Sequence, residues 1–137
     1  CYQACSTHSG GDMRKAITLL QSAARLFGTE TLTGKEITAV AGAVDVNTVK
    51  EVVAACKKNQ VDNANRVIDS ILKDGFPGLQ IMTQFAETVV EDEGVADAVK
   101  GKICERIAEA DKALVDGADE SLQLMAIVST ACVAMKA

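Results

Sequence analysis

Apolar residues recur every three to four positions along most of this chain. In the segment from about Gly10 to Phe27 they stand at Met13, Ala16, Ile17, Leu20, Ala24 and Phe27. Similar spacing returns in segments near 34–41, 48–58, 62–74, 77–91, 96–115 and 121–135. This period is that of an α-helix with one buried face, and no segment shows the alternation of a half-buried strand. The pattern predicts an all-α bundle of about six to seven helices.

Polar signals mark where several of these helices begin. Thr33 with Glu36, and Thr48 with Glu51, have the spacing of a capping box, in which each side chain bonds the backbone of the other residue. Asp119 precedes the last apolar segment and is expected to cap it. We therefore expect helices to start at these three places.

The start of the first predicted helix has an unusual composition. Ser9 and Asp12 resemble a capping box with Asp in place of Glu, and they compensate for Gly10 and Gly11, which weaken a helix. Arg14 follows in the first turn, although cations are disfavoured at the positive end of a helix. Such an arginine is commonly a solvated side chain. The alternative is that it binds an anion, such as a terminal phosphate, beside the free backbone amides.

The last predicted helix carries no charged residue from Ser121 to Met135. Its large apolar residues cover more than one face, and a helix that is apolar all round needs cover on nearly every side. Two interpretations stay open. The helix is either the central core helix of the bundle or a helix that is partly exposed until a neighbouring subunit packs on it.

Charge and cysteine content argue against two classes of protein, those that bind nucleic acid through an overall positive charge and those held together by disulfide bonds. The 137 residues carry a net charge of −5, so the overall field does not attract a phosphate backbone. The five cysteines are an odd number, and three lie in apolar helical patterns, which indicates buried thiols in a reducing compartment. No secretory signal or membrane-spanning run is visible.

Three short patterns resemble a phosphate-binding loop, a metal site and an acidic docking patch, but none of them is specific. "GTETLTGKE" has five residues between Gly28 and Gly34, so it fails the spacing of a phosphate-binding loop. Cys1, Cys5 and His8 have loose spacing and no fourth metal ligand nearby, so no metal site is expected. The run "VVEDEG" is read as a solvated turn, with a docking patch for a basic partner as the alternative.

An ordered series of motifs resembles a known family. "SGGDMRKAITLLQSAARL" is similar to the sensor-2 helix of AAA+ clamp-loader small subunits, in which Gly-Asp-(Met/Leu)-Arg precedes Ala and Leu-Gln. The similarity continues through "ITAVAG", "VVAACKKNQ" and "QIMTQFAETVVEDEG" and ends in "ICERIAEADKALVDGADESLQL". This tail looks most like a replication factor C small subunit of the subunit 4 type, and the resemblance covers essentially the whole chain.

The resemblance implies a C-terminal fragment of a longer subunit, in line with a first residue that is not Met. Residues 1–27 would be a remnant of the AAA+ lid domain with the sensor-2 helix. Residues 33–137 would be the helical collar, an oligomerisation domain, with the boundary near Thr29–Thr33. The Walker motifs and the arginine finger would lie in an ATPase domain elsewhere. The fragment is thus expected to be no enzyme and to hold no cofactor, whereas the parent would use ATP and Mg²⁺.

The resemblance also implies roles for individual residues. Arg14 would be the sensor-2 arginine that reaches the γ-phosphate of ATP in the whole subunit. Gly10 and Gly11 would allow close packing at the head of its helix, and Ser9 and Asp12 would support the helix start. For the collar, the uncharged last helix gives these candidate contacts with neighbouring subunits: Leu122, Met125, Ile127, Val128, Cys132 and Met135.

The implied parent is a nuclear heteropentamer of replication factor C subunits. With ATP it would load the sliding clamp onto primer–template DNA, and it has no membrane partner. Two alternatives stay open at this stage. The chain could be the collar of another clamp-loader paralogue, either a different small subunit or a checkpoint loader. It could also be an unrelated helical ligand-binding bundle, which would need converging polar side chains inside the bundle.

Overall fold

The computed structural model describes residues 2–28 and 32–136, apart from the side chain of Thr7. These residues form eight α-helices and no strand, which confirms the all-α fold. They make two compact units, unit 1 up to Val44 and unit 2 from Asp45 onward. This division falls after Val44, so residues 33–44, which the sequence analysis assigned to the collar, group with unit 1 instead. Part of the boundary expected from the sequence, residues 29–31, lies outside the described residues.

Three helices belong to unit 1 and five to unit 2. Unit 1 contains α1 (Tyr2–Ser9), α2 (Met13–Phe27) and α3 (Gly34–Val40). Unit 2 contains α4 (Val46–Lys57), α5 (Val61–Lys73), α6 (Gly78–Glu91), α7 (Asp97–Val115) and α8 (Glu120–Lys136). The described residues therefore form eight helices where six to seven were expected, and the additional helix is α1, which precedes the first predicted helix.

The presence of α1 corrects the expected start of the next helix. Ser9 is the last residue of α1, and its hydroxyl donates to the carbonyl of Ser6 at 3.0 Å. Helix α2 begins at Met13, and Asp12 is its N-cap, with Oδ1 accepting from the backbone N–H of Arg14 at 2.9 Å. The Ser9–Asp12 capping box was therefore wrong, because Ser9 serves the preceding helix and Asp12 is itself the cap.

Gly10 and Gly11 make the turn between α1 and α2. Both have positive φ values, 59° and 86°, which L-residues with a side chain adopt at a cost. A Cβ at either position would meet no atom within 4 Å. Within the described residues the backbone conformation explains both glycines, and close packing against another part of the whole subunit stays a prediction.

The two capping boxes expected from sequence had different outcomes. The Thr33–Glu36 box is confirmed, with Glu36 Oε2 accepting from the backbone N–H of Thr33 at 2.7 Å. Hydrogen bonding, first from the Thr33 hydroxyl, holds the pKa of Glu36 below its ordinary value. The Thr48 box was wrong, because Asp45 caps α4 three residues earlier by accepting from the N–H of Asn47 at 3.3 Å.

The core of unit 1 is small. Cys5, Ala23 and Ile37 are buried, one from each helix, and they pack against these partly buried apolar residues: Ala4, Phe27, Leu32 and Val40. The buried face of α2 is therefore centred near Ala23 and not on the apolar stripe expected from sequence. Of that stripe, only Phe27 packs on this core, whereas Met13, Ile17 and Leu20 are exposed and line an open groove with α1.

Helix α8 is the central element of unit 2, where it contacts each of the other four helices. Asp119 caps it as expected, with Oδ1 accepting from the N–H of Leu122 at 2.9 Å. The core around it is apolar and largely aliphatic, and it contains Val49, Val52, Ile68, Ile71, Ile81, Met82, Phe85, Leu124, Ile127 and Val128. The absence of charge from Ser121 to Met135 thus follows mainly from burial within the unit.

Two contacts join α8 to α4 and to α6. In the first, the thiol of Cys56 on α4 lies next to the thiol of Cys132 on α8. Both thiols are fully buried, and burial is the main cause that raises the pKa of each. The backbone N–H of Gly78 donates to Glu120 Oε2 at 2.8 Å, where a Cβ on Gly78 would come within 2.9 Å of Glu120. Glycine at this position permits the start of α6 to lie against the start of α8.

Candidate functional site

The first candidate site is the beginning of α2. Arg14 and Lys15 are both exposed in the first turn, where α2 has no acidic residue beyond the cap Asp12. Among the residues that the structure describes, no carboxylate pairs with either side chain. Two cations therefore stand at the positive end of a helix, which is an unfavourable placement, beside the carboxylate of the cap Asp12.

The chemistry available at this helix start is anion binding. Arg14 offers a planar donor set that suits phosphate oxygens, and the N–H groups in the first turn of a helix have no partner within the helix, although the N–H of Arg14 donates to Asp12 Oδ1. The structure thus places Arg14 on the surface of unit 1, where a phosphate could reach it. Ser9, Gly10 and Gly11 shape the turn before it, and Asp12 fixes where the helix begins.

The second candidate site is the surface of α8. Of its six predicted contact residues, three are buried in the structure and three are at least partly exposed. Ile127, Val128 and Cys132 are buried among the helices of unit 2, with at most 2% of their surface exposed. These three candidates were wrong, because a side chain that is covered by its own core has no surface left for a neighbour. Leu122 is exposed, and Met125 and Met135 are half-buried, so they remain available.

One exposed stripe runs along the side of α8 opposite its buried face. It consists of Leu122, Ala126, Ser129 and Val133, at positions i, i+4, i+7 and i+11, and we call it the α8 stripe; Ala126 is half-buried and the other three are exposed. Leu122 and Val133 are 65% and 71% exposed. Val133 was missed from sequence because α8 is apolar on every face, so periodicity alone does not distinguish its outer side.

The acidic run after α6 has a structural role in part. Asp92 pairs with Lys57 of α4 and also accepts from the N–H of Gly94 at 2.9 Å. These bonds, first the one from Lys57, lower the pKa of Asp92. Lys100 donates to the carbonyl of Val90 at 2.7 Å, which offsets the negative end of α6.

This pair gives a prediction about acid stability. Because the folded-state pKa of Asp92 is lowered, its contribution is present above the unfolded value, about 4, and is lost as pH falls through the folded value. Lys57→Met should raise the pKa of Asp92 toward that unfolded value. A carboxyl NMR titration measures this change, and an unchanged pKa in the variant would contradict the role given to Lys57.

The described residues hold no cluster of metal-ligating side chains. Cys5 and His8 of the weak metal pattern lie in α1, where His8 Nε2 is 3.2 Å from the hydroxyl oxygen of Thr38, while Cys1 is outside the described residues. In the same part of the chain, no helix has the length and hydropathy needed to cross a membrane.

Comparison with known proteins gives a consistent result. The replication factor C C-terminal domain family matches residues 44–130, which begins close to the start of unit 2. The chain is 45% identical over 124 residues to "Replication factor C subunit 2" of Oryza sativa subsp. japonica, covering 90% of this chain and 36% of that protein.

Two further relatives carry the name of subunit 4. Identity is 45% over 131 residues to "Replication factor C subunit 4" of Arabidopsis thaliana, covering 95% of this chain and 38% of the relative. It is 42% over 122 residues to "Replication factor C subunit 4" of Homo sapiens, covering 89% and 33%. The chain therefore spans about a third of the length of these relatives.

Proposed function

This chain belongs to the replication factor C C-terminal domain family, and on that basis we propose that unit 2 is the collar that joins one clamp-loader subunit to its neighbours. The α8 stripe is the observation that carries the proposal. An uncharged helix face with two large exposed aliphatic side chains is costly in water and suits a protein interface. Met125 and Met135, which the sequence also predicted to contact neighbouring subunits, lie on the same helix and are half-buried.

We assign unit 1 a different role in the parent protein. Residues 1–27 contain the end of the lid, and Arg14 acts as the sensor-2 arginine toward the γ-phosphate of ATP. The exposed cations at the start of α2 support this role, because they have no carboxylate partner in the described chain. The exposed groove along α1 and α2, with Met13, Ile17 and Leu20, suits packing against more of a lid domain.

The parent complex would carry the chemistry that this chain does not supply. Its ATPase domains would use ATP and Mg²⁺, and the assembled subunits would act on the sliding clamp and primer–template DNA in the nucleus. The relatives are named both subunit 2 and subunit 4, so we propose a small subunit without assigning it one of these numbers. A checkpoint-loader collar is the alternative within the same family of assemblies.

Deletion of the collar from the full-length subunit tests the proposed function. The parent subunit from which residues 45–137 are deleted should not co-elute with its companion subunits in size-exclusion chromatography. It should still bind ATP, because its ATPase domain is intact. Normal assembly of the truncated subunit would contradict the proposal, and loss of ATP binding would show that the deletion damaged more than the collar.

A further inference from the structure

Two cysteines lie together in the core of unit 2, away from the surface proposed for assembly. Cys56 stands in the last turn of α4, and Cys132 stands about one turn before the end of α8. Each side chain has 0% of its surface exposed. The two thiols hydrogen-bond to each other, so two side chains that are far apart in sequence meet where α4 packs on α8.

The neighbouring thiol distinguishes this pair from the other described cysteines. All four described thiols are free. Cys5 packs with Ala23 in the core of unit 1, and Cys104 is half-buried on α7. A disulfide needs two cysteines that already lie close together, because the bond has a narrow range of allowed geometry. The contact between Cys56 and Cys132 supplies this closeness within a single unit of the chain.

Burial protects both thiols while the core of unit 2 is closed. The thiolate is the reactive form of cysteine, and burial raises the pKa of Cys56 and of Cys132, so little thiolate is present. Both residues nevertheless lie near the C-terminal ends of their helices, since α4 ends at Lys57 and α8 ends at Lys136. Helix ends open more readily than the centre of a core. A brief opening of one end therefore brings a thiol to water, where a small oxidant reaches it.

We infer that Cys56 and Cys132 form an internal disulfide when the chain meets hydrogen peroxide. The thiol that is exposed first attacks the peroxide, an S–O bond forms, the O–O bond breaks and one water leaves, which gives a sulfenic acid. When the helix end closes again, the second thiol attacks this sulfur, the S–S bond forms and a second water leaves. The two thiols thus lose two hydrogens in total, and one peroxide is reduced to two waters. This inference stands apart from the proposed function.

The expected consequence of the bond is a more stable unit 2. The disulfide ties α4 to α8, and the loop that it closes contains the whole of α5, α6 and α7. Closing so long a loop removes many conformations from the unfolded chain, which favours the folded state. The oxidised chain should therefore unfold at a higher urea concentration than the reduced chain.

Peroxide treatment of the whole 137-residue chain tests the inference. The chain is held with excess hydrogen peroxide in a low concentration of urea, which promotes local opening, while far-UV circular dichroism verifies that it stays helical. Non-reducing peptide mapping by mass spectrometry then identifies which cysteines are joined. Cys56→Ala removes one partner of the pair. Cys104→Ser is the matched control, because it removes a half-buried thiol outside the pair.

The wild-type chain and the Cys104 variant should both yield a peptide that joins Cys56 to Cys132, and the Cys56 variant should not. The urea midpoint of the oxidised wild-type chain should rise by at least about 1 M, and dithiothreitol should reverse this rise. The inference is overturned if Cys56 and Cys132 stay free thiols or join other cysteines, or if the joined pair leaves the midpoint unchanged. Mapping of the wild-type chain gives this answer even if the Cys56 variant does not fold.

Discussion

Ile127→Ala is expected to destabilise unit 2 by about 2–5 kcal/mol, which is a large part of the stability of a small domain. Ile127 lies in the middle of α8, and only 2% of its surface is exposed. Removing its outer methyl groups loses transfer free energy and leaves a cavity among the helices that surround α8. Urea unfolding followed by far-UV circular dichroism measures the change.

Val133→Ala is the matched control on the same helix. Its side chain is 71% exposed, so the isolated chain should change by about 0.5 kcal/mol or less. The two variants therefore distinguish a position of α8 that is buried in the core of unit 2 from a position of α8 that is left exposed for a neighbouring subunit. Equal destabilisation by both would contradict the assignment of Ile127 to the core and Val133 to the surface.

Arg14→Ala in the full-length subunit is expected to weaken ATP binding at its site by about 10- to 100-fold. A hydrogen bond to a charged group contributes about 1.5–3 kcal/mol, and the lower two thirds of this interval, up to about 2.8 kcal/mol, correspond to this range. ATP-dependent clamp loading should fall as well, while assembly of the complex should be largely unchanged. Titration with a fluorescent ATP analogue and size-exclusion chromatography measure the two effects separately.

Arg25→Ala provides the comparison, because Arg25 is an exposed arginine near the opposite end of α2. It should leave ATP binding and assembly close to those of the wild type. Loss of assembly in the Arg14 variant, with ATP binding retained, would show that Arg14 has a structural role. Equal loss of ATP binding in both variants would point to a general effect of positive charge.

Local patterns predicted much of the fold because they depend on residues close in sequence. The Thr33–Glu36 box and the Asp119 cap are confirmed, since each bond joins residues within three positions. The all-α class followed from periodicity along the whole chain. The Ser9–Asp12 box was wrong because the same spacing is compatible with a helix that ends at Ser9.

The buried faces of helices were harder to predict, because they depend on which other helices are present. On α2 the apolar stripe expected inside is largely exposed, while Ala23 is fully buried. On α8 every face is apolar, so the sequence could not separate Cys132 in the core from Val133 on the surface. The family resemblance is confirmed, and its specific ordered motifs carried more information about function than any single residue.

The role of unit 2 in assembly is measured by sedimentation velocity of the 137-residue chain, alone and mixed with each companion subunit of a replication factor C complex. We expect the chain, without any further domain, to form a faster-sedimenting species with its neighbours, and Leu122→Asp with Val133→Asp to reduce this species. If the chain sediments unchanged in every mixture, while its circular dichroism shows a folded helical protein, unit 2 is not the part that joins the subunits.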